Sequence, residues 1–139
     1  MKIHGTCHCG AIAYEGETDP QKVSICHCTD CQHLSGAPFR ASVPVKGEDF
    51  HILRGTPKTY VKVAQSGNRR VQGFCGDCGT PIYSTSEEAN PALYMLRVGP
   101  LAEREQLAPQ LQIWHGSALA WAQNISSLKA VNGNMPMGK

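Results

Sequence analysis

Cys7-His8-Cys9-Gly10, Cys26-His27-Cys28-Thr29-Asp30-Cys31 and Cys75-Gly76-Asp77-Cys78-Gly79 hold all seven cysteines of this 139-residue chain, and their grouping decides the fold. A zinc ion closed by four thiolates is a structural site, whereas three protein ligands leave a coordination position for water or substrate. Seven sulfurs divide naturally into four and three. The pattern therefore predicts two Zn2+ ions per chain, one a scaffold and one reactive. Tetrahedral sulfur also accommodates iron at the four-thiolate position.

The set of four is expected to be Cys7, Cys9, Cys75 and Cys78. Side chains two apart on an extended segment share a face, so Cys7 and Cys9 can grip one ion together. Cys75 and Cys78 have knuckle spacing. Glycine follows the second cysteine of each pair, Gly10 and Gly79, which suits a turn of positive φ that aims backbone amides at sulfur. Such a staple ties the start of the chain to the 74–83 region across a long loop, so its loss is expected to damage folding. The trio Cys26, Cys28 and Cys31 lies within six residues and needs no distant partner. Its fourth position goes either to an exchangeable ligand or to one of His27, His33 and His115. His8 and His27, each between cysteines, are expected to point away from metal as exposed turn residues.

Disulfides explain the cysteines less well. An odd count cannot pair completely, and cysteines separated by one residue would close a strained ring. The Met1-Lys2-Ile3-His4-Gly5 start has no apolar signal segment, which sets the expectation of a cytoplasmic chain with reduced thiols. A formal charge of +2, from 13 basic and 11 acidic side chains, gives no electrostatic footprint for nucleic acid or an anionic membrane. No apolar run approaches the roughly 18 residues a membrane-spanning helix requires.

The length suits one domain, expected over residues 1–130, with a poorly ordered tail over 131–139 that is rich in Gly, Asn, Pro and Met. Apolar and polar residues alternate over 10–16, 22–26, 39–45, 50–53, 59–63, 70–74, 80–84, 93–98 and 111–114, separated by Gly, Pro, Asn and Asp. Short strands at short intervals predict a mainly β fold. Helix is expected only as single turns at 29–34, after a Thr29 or Asp30 cap, and at 103–106 and 117–123.

Three anionic ligands leave a zinc site at a formal charge of −1, two positive charges against three negative, so it acidifies bound water less than a histidine site would. Hydrolysis is disfavoured on that ground. A thiol entering the open position is deprotonated yet held in an electron-rich shell, which suits attack on a small electrophile.

Gly5-Thr6-Cys7-His8-Cys9-Gly10, the central cluster followed by Ser35-Gly36-Ala37, and Phe74-Cys75-Gly76-Asp77-Cys78-Gly79-Thr80-Pro81 together carry a resemblance over about residues 2–128. The chain resembles the glutathione-dependent formaldehyde-activating enzyme family, which includes the centromere protein V domain. The resemblance implies a single-domain β-tent fold, a structural zinc at Cys7, Cys9, Cys75 and Cys78, and a catalytic zinc at Cys26, Cys28 and Cys31. It implies an S-(hydroxymethyl)glutathione synthase-like carbon–sulfur lyase, with glutathione or a similar small thiol and formaldehyde or a similar small aldehyde as its partners. Arg97-Val98-Gly99-Pro100-Leu101-Ala102 and Gln112 depart from the family pattern, which often has a Gly-Thr-Leu-Asp type segment and a histidine there.

Arg40, Arg97 and the Arg69-Arg70 pair are candidate contacts for substrate carboxylates, although the ordinary expectation for each is a solvated surface charge. Trp114 and Trp121 either wall a pocket or, as is usual for such residues, pack the core. The rival function is a non-enzymatic zinc module that binds a protein partner, which requires an exposed apolar patch. A nucleic-acid-binding zinc ribbon would need a basic face with interleaved aromatics, and the sequence has none.

Overall fold

The computed structural model describes residues 1–135. Residues 131–135 carry no helix or strand, and the rest of the tail expected to be poorly ordered, 136–139, lies outside the described residues. The fold is mainly β, with a single α-helix among the described residues, as the short alternating segments predict. In chain order the strands are β1 (Lys2–Thr6), β2 (Ala13–Glu17), β3 (Ser24–Cys26), β4 (Arg40–Lys46), β5 (His51–Arg54), β6 (Lys58–Val63), β7 (Arg69–Phe74), β8 (Pro81–Ser86), β9 (Leu93–Arg97) and β10 (Leu111–Ile113). The helix α1 spans Thr29–Ser35, and the turns expected at 103–106 and 117–123 form short 3-10 segments at Arg104–Gln106, His115–Ser117 and Ala120–Gln123.

Strands β1, β2 and β5 make one antiparallel sheet in the order β1-β2-β5. The other seven form a sheet in the order β10-β3-β4-β9-β8-β7-β6, antiparallel except where β10 runs parallel to β3. The alternation Arg40-Ala41-Ser42-Val43-Pro44-Val45 shows how the larger sheet divides its faces. Val43, Val45, Leu96 and Ile82 turn inward to join Ile3, Ile12 and Tyr14 in the core, while Arg40, Ser42 and Arg97 turn to the other face. Phe50 completes the core edge, 4.6 Å from the Tyr94 ring, 5.6 Å from Tyr83 and 6.0 Å from Tyr14, centroid to centroid.

Strand β1 was absent from the sequence expectation because Ile3 is its one large apolar residue. Its other inward position is Gly5, where the Tyr14 ring occupies the space a Cβ would need. Gly5→Ala is therefore expected to destabilise the chain by about 1–3 kcal/mol through overpacking against a buried ring. Chemical denaturation followed by circular dichroism measures this, and an unchanged midpoint would show that Tyr14 yields freely.

Candidate metal centre

Cys7 and Cys9 sit in the turn that joins β1 to β2, and Cys75 and Cys78 in the turn that joins β7 to β8. Their four sulfurs lie within 4.8 Å of one another. Cys9 Sγ is 3.6 Å from Cys7 Sγ and 3.7 Å from Cys75 Sγ. A tetrahedral zinc with bonds of about 2.3 Å separates its sulfurs by about 3.8 Å, so this donor set fits a shared ion. All seven cysteines are free thiols.

The turns work as the glycines predict. Gly10 and Gly79 adopt φ of 81° and 80°, and their amides close tight turns onto the Cys7 and Cys75 carbonyls at 3.0 and 2.8 Å. The Ile12 amide donates to Cys7 Sγ at 3.2 Å. The Thr80 hydroxyl lies 3.1 Å from Cys78 Sγ, and hydrogen bonding to Thr80 holds that thiol down to about 5. Thr80 Oγ1 also accepts from the His8 amide at 3.0 Å, linking the two turns, while the His8 side is exposed as expected. Cys7 and Cys75 are core residues and Cys9 and Cys78 are exposed, so the cluster straddles the surface.

The second cluster is local. Cys26 ends β3, and Cys28 and Cys31 flank the start of α1, with all three sulfurs within 4.8 Å. The helix cap differs from the expected Thr29 or Asp30: Cys28 holds the N-cap position, and its Sγ accepts from the Cys31 amide at 3.3 Å. A thiolate acceptor at a helix start replaces the usual hydroxyl or carboxylate there. Hydrogen bonding from Cys26 pushes the Cys31 thiol down to about 5, with the Arg40 charge adding to the effect, while Cys26 is pushed up by the same sharing.

No histidine nitrogen joins these three sulfurs within that radius among the described residues. His27 corrects the expectation of an exposed turn residue: it is 1% exposed. Its Nε2 lies 2.8 Å from Gln112 Oε1, its amide donates to the Ile113 carbonyl at 3.0 Å, and its ring packs edge-on against Phe39 and His115. His27 thus points away from the sulfurs, as expected, but into the contact that seats β10 rather than into solvent.

Strand register explains what surrounds the trio. Ile113, Cys26 and Arg40 lie directly across from one another on β10, β3 and β4, and Ser24, Ser42 and Arg97 form the next row on β3, β4 and β9. Gln72 and Ser84 are opposite each other on β7 and β8. These side chains and Arg70 line a cavity of about 200 Å³ over the trio. Gln72, Ser42, Ser84 and Lys62, which bonds to Asp30 Oδ2 at 3.1 Å, were missed by sequence reasoning; their polar positions on the sheet face opposite the core were the available signal.

The arginines divide. Arg69 is an exposed charge bonded to Glu87 at 2.8 Å, in line with the surface expectation. Arg40 and Arg97 correct it, at 8% and 6% exposed, and Arg70 is half-buried. Arg97 donates to Ser42 Oγ at 2.7 Å and to Gln72 Oε1 at 3.0 Å, and burial together with the neighbouring Arg40 charge lowers its pKa to about 9.

The tryptophans also depart from the expected core role. Trp121 is exposed, and Trp114 is 54% exposed on the rim of the cysteine cavity. Trp114 has φ 55°, a left-handed conformation that costs a bulky residue about 1–2 kcal/mol, and such strain concentrates at sites that need a side chain aimed.

Fold and site together define a mainly β protein with two thiol clusters placed to hold metal ions. Residues 2–117 match the family described as glutathione-dependent formaldehyde-activating enzyme, and the chain belongs to that family. In fold it is similar to a crystal structure of a Rhodobacter sphaeroides protein, a structural-genomics target, with a TM-score of 0.61 and 24% identity over 81% of this chain and 99% of that one. Comparison with curated proteins gives no significant match.

Proposed function

We propose that the chain is a zinc-dependent enzyme of the carbon–sulfur lyase type that joins, or releases, a small thiol such as glutathione and formaldehyde or a similar small carbonyl. In this reading Cys7, Cys9, Cys75 and Cys78 hold a structural zinc, and Cys26, Cys28 and Cys31 hold the catalytic one, within a domain spanning residues 1–130. The observation that carries it is the contrast between four converging sulfurs and three, in a member of this family. Zinc held by Cys26, Cys28 and Cys31 would lower the pKa of an incoming thiol.

The chain's own residues supply the rest. Arg40 and Arg97 present guanidinium groups that can anchor a carboxylate of the thiol substrate, and Trp114 offers an aromatic face at the cavity rim. In the joining direction the substrate sulfur forms a bond to the carbonyl carbon, the C=O π pair moves to oxygen, and the thiol proton ends on that oxygen. No electron is gained or lost. The sulfurs call for a reducing compartment, and we place the protein in the cytoplasm. No helix among the described residues is long and apolar enough to cross a membrane.

The rival, a zinc module that docks a protein, draws on exposed Leu111, Trp114, Trp121, Ile125 and Leu128 along the C-terminal segment. Exchange NMR of glutathione with formaldehyde separates the two. Acceleration above the spontaneous rate, proportional to zinc-loaded protein, is expected; a rate equal to background with glutathione and with other small thiols would favour the module.

A further inference from the structure

A second cavity, of about 630 Å³, lies on the other side of Arg40, Gln72 and Arg97, which line both it and the space over the trio. Its volume is in the range of pockets that enclose a small organic molecule, and far exceeds what formaldehyde fills. Its walls are largely apolar, formed by Leu34, Tyr60, Phe74 and Tyr83.

The three shared side chains are each more than nine-tenths buried, and each keeps an unpartnered donor: Arg40 Nε, Arg97 Nε and Gln72 Nε2. No carboxylate pairs with Arg40, Arg70 or Arg97 among the described residues. The trio does not account for all of this charge, since three thiolates around a divalent ion carry a formal −1 against three guanidiniums. Buried cations without a counter-charge are costly, and such groups persist where a ligand completes them.

We propose that this cavity binds a small organic anion with an apolar body, its carboxylate on Arg40 and Arg97 and its aromatic or branched alkyl part against Tyr60 and Phe74. The site shares Arg40 and Arg97 with the substrate anchor proposed above, but its apolar walls belong to this cavity alone, so anion binding here can be read without the carbon–sulfur reaction.

Phenylacetate, its neutral analogue phenylacetamide and inorganic phosphate are the probes, titrated into zinc-loaded protein and followed by two-dimensional amide NMR. Saturable shifts with phenylacetate are expected, with the amide and phosphate each at least tenfold weaker. Arg97→Met should weaken phenylacetate at least tenfold. Should that variant fail to fold, Tyr60→Ala, on an exposed rim position, keeps the test open: it should weaken phenylacetate several-fold and leave phosphate unchanged. Equal binding of acid and amide would reduce the cavity to an apolar crevice. Phosphate binding as tightly as phenylacetate, or no saturable shift at all, would equally overturn the proposal.

Discussion

Cys75→Ser is expected to leave the chain unfolded or insoluble rather than folded and inactive. Cys75 is 1% exposed inside the hydrophobic core, so serine places a hydroxyl there at a cost of about 1–3 kcal/mol if it finds no partner. The larger loss is the metal. Zinc bound by four cysteines contributes on the order of 10 kcal/mol to small zinc domains, comparable with the whole stability of a chain this size. The staple also joins segments nearly seventy residues apart, from Cys9 to Cys75, and holding that loop closed restricts the unfolded chain. Soluble yield, far-ultraviolet circular dichroism and metal content by mass spectrometry report the outcome. A well-folded variant with two zinc ions per chain would remove the structural role assigned to these four residues.

Cys31→Ser is expected to do the reverse, removing one zinc ion per chain and the thiol-dependent rate while the fold survives. Cys26, Cys28 and Cys31 lie at the end of β3 and the start of α1, so no distant segments depend on them for closure. The helix keeps its cap, since Cys28 Sγ still accepts from the residue 31 amide, and Ser35 Oγ still bonds to the residue 31 carbonyl. The thermal midpoint should move by no more than about 5 °C, the scale of a 1 kcal/mol change in a chain of this length. Formaldehyde exchange should fall to the uncatalysed rate. Collapse of the whole structure would make both clusters structural, and retention of both ions with full activity would exclude the trio as the reactive centre.

The cysteine grouping was legible because it depends on local spacing: three thiols around a helix start, and paired thiols followed by glycines where the turns require positive φ, although Cys7 and Cys9 meet in a turn rather than on the extended face expected of them. The strands of the larger sheet were legible for a similar reason, since Arg40 to Val45 alternates residue by residue. What escaped depends on which strands become neighbours. Arg40 reads as a surface charge until β3 places it beside Cys26, and Arg97 until β4 places it beside Ser42. His27 likewise looked exposed because its covering strand, β10, lies more than eighty residues away and pairs in parallel. The tryptophans misled in the opposite sense. Composition alone sends them to the core, yet the segment after β10 forms short 3-10 turns that bury no residue and leaves both tryptophans exposed.

That parallel pairing sets an order on biosynthesis. All seven sulfurs have left the ribosome once residue 78 emerges, whereas Ile113 and Trp114 follow about thirty-five residues later. A nascent or truncated chain ending before residue 110 thus owns every cysteine of both clusters but lacks one flank of the cavity over the trio, so assembly of the sulfur clusters and completion of the pocket are separable in time.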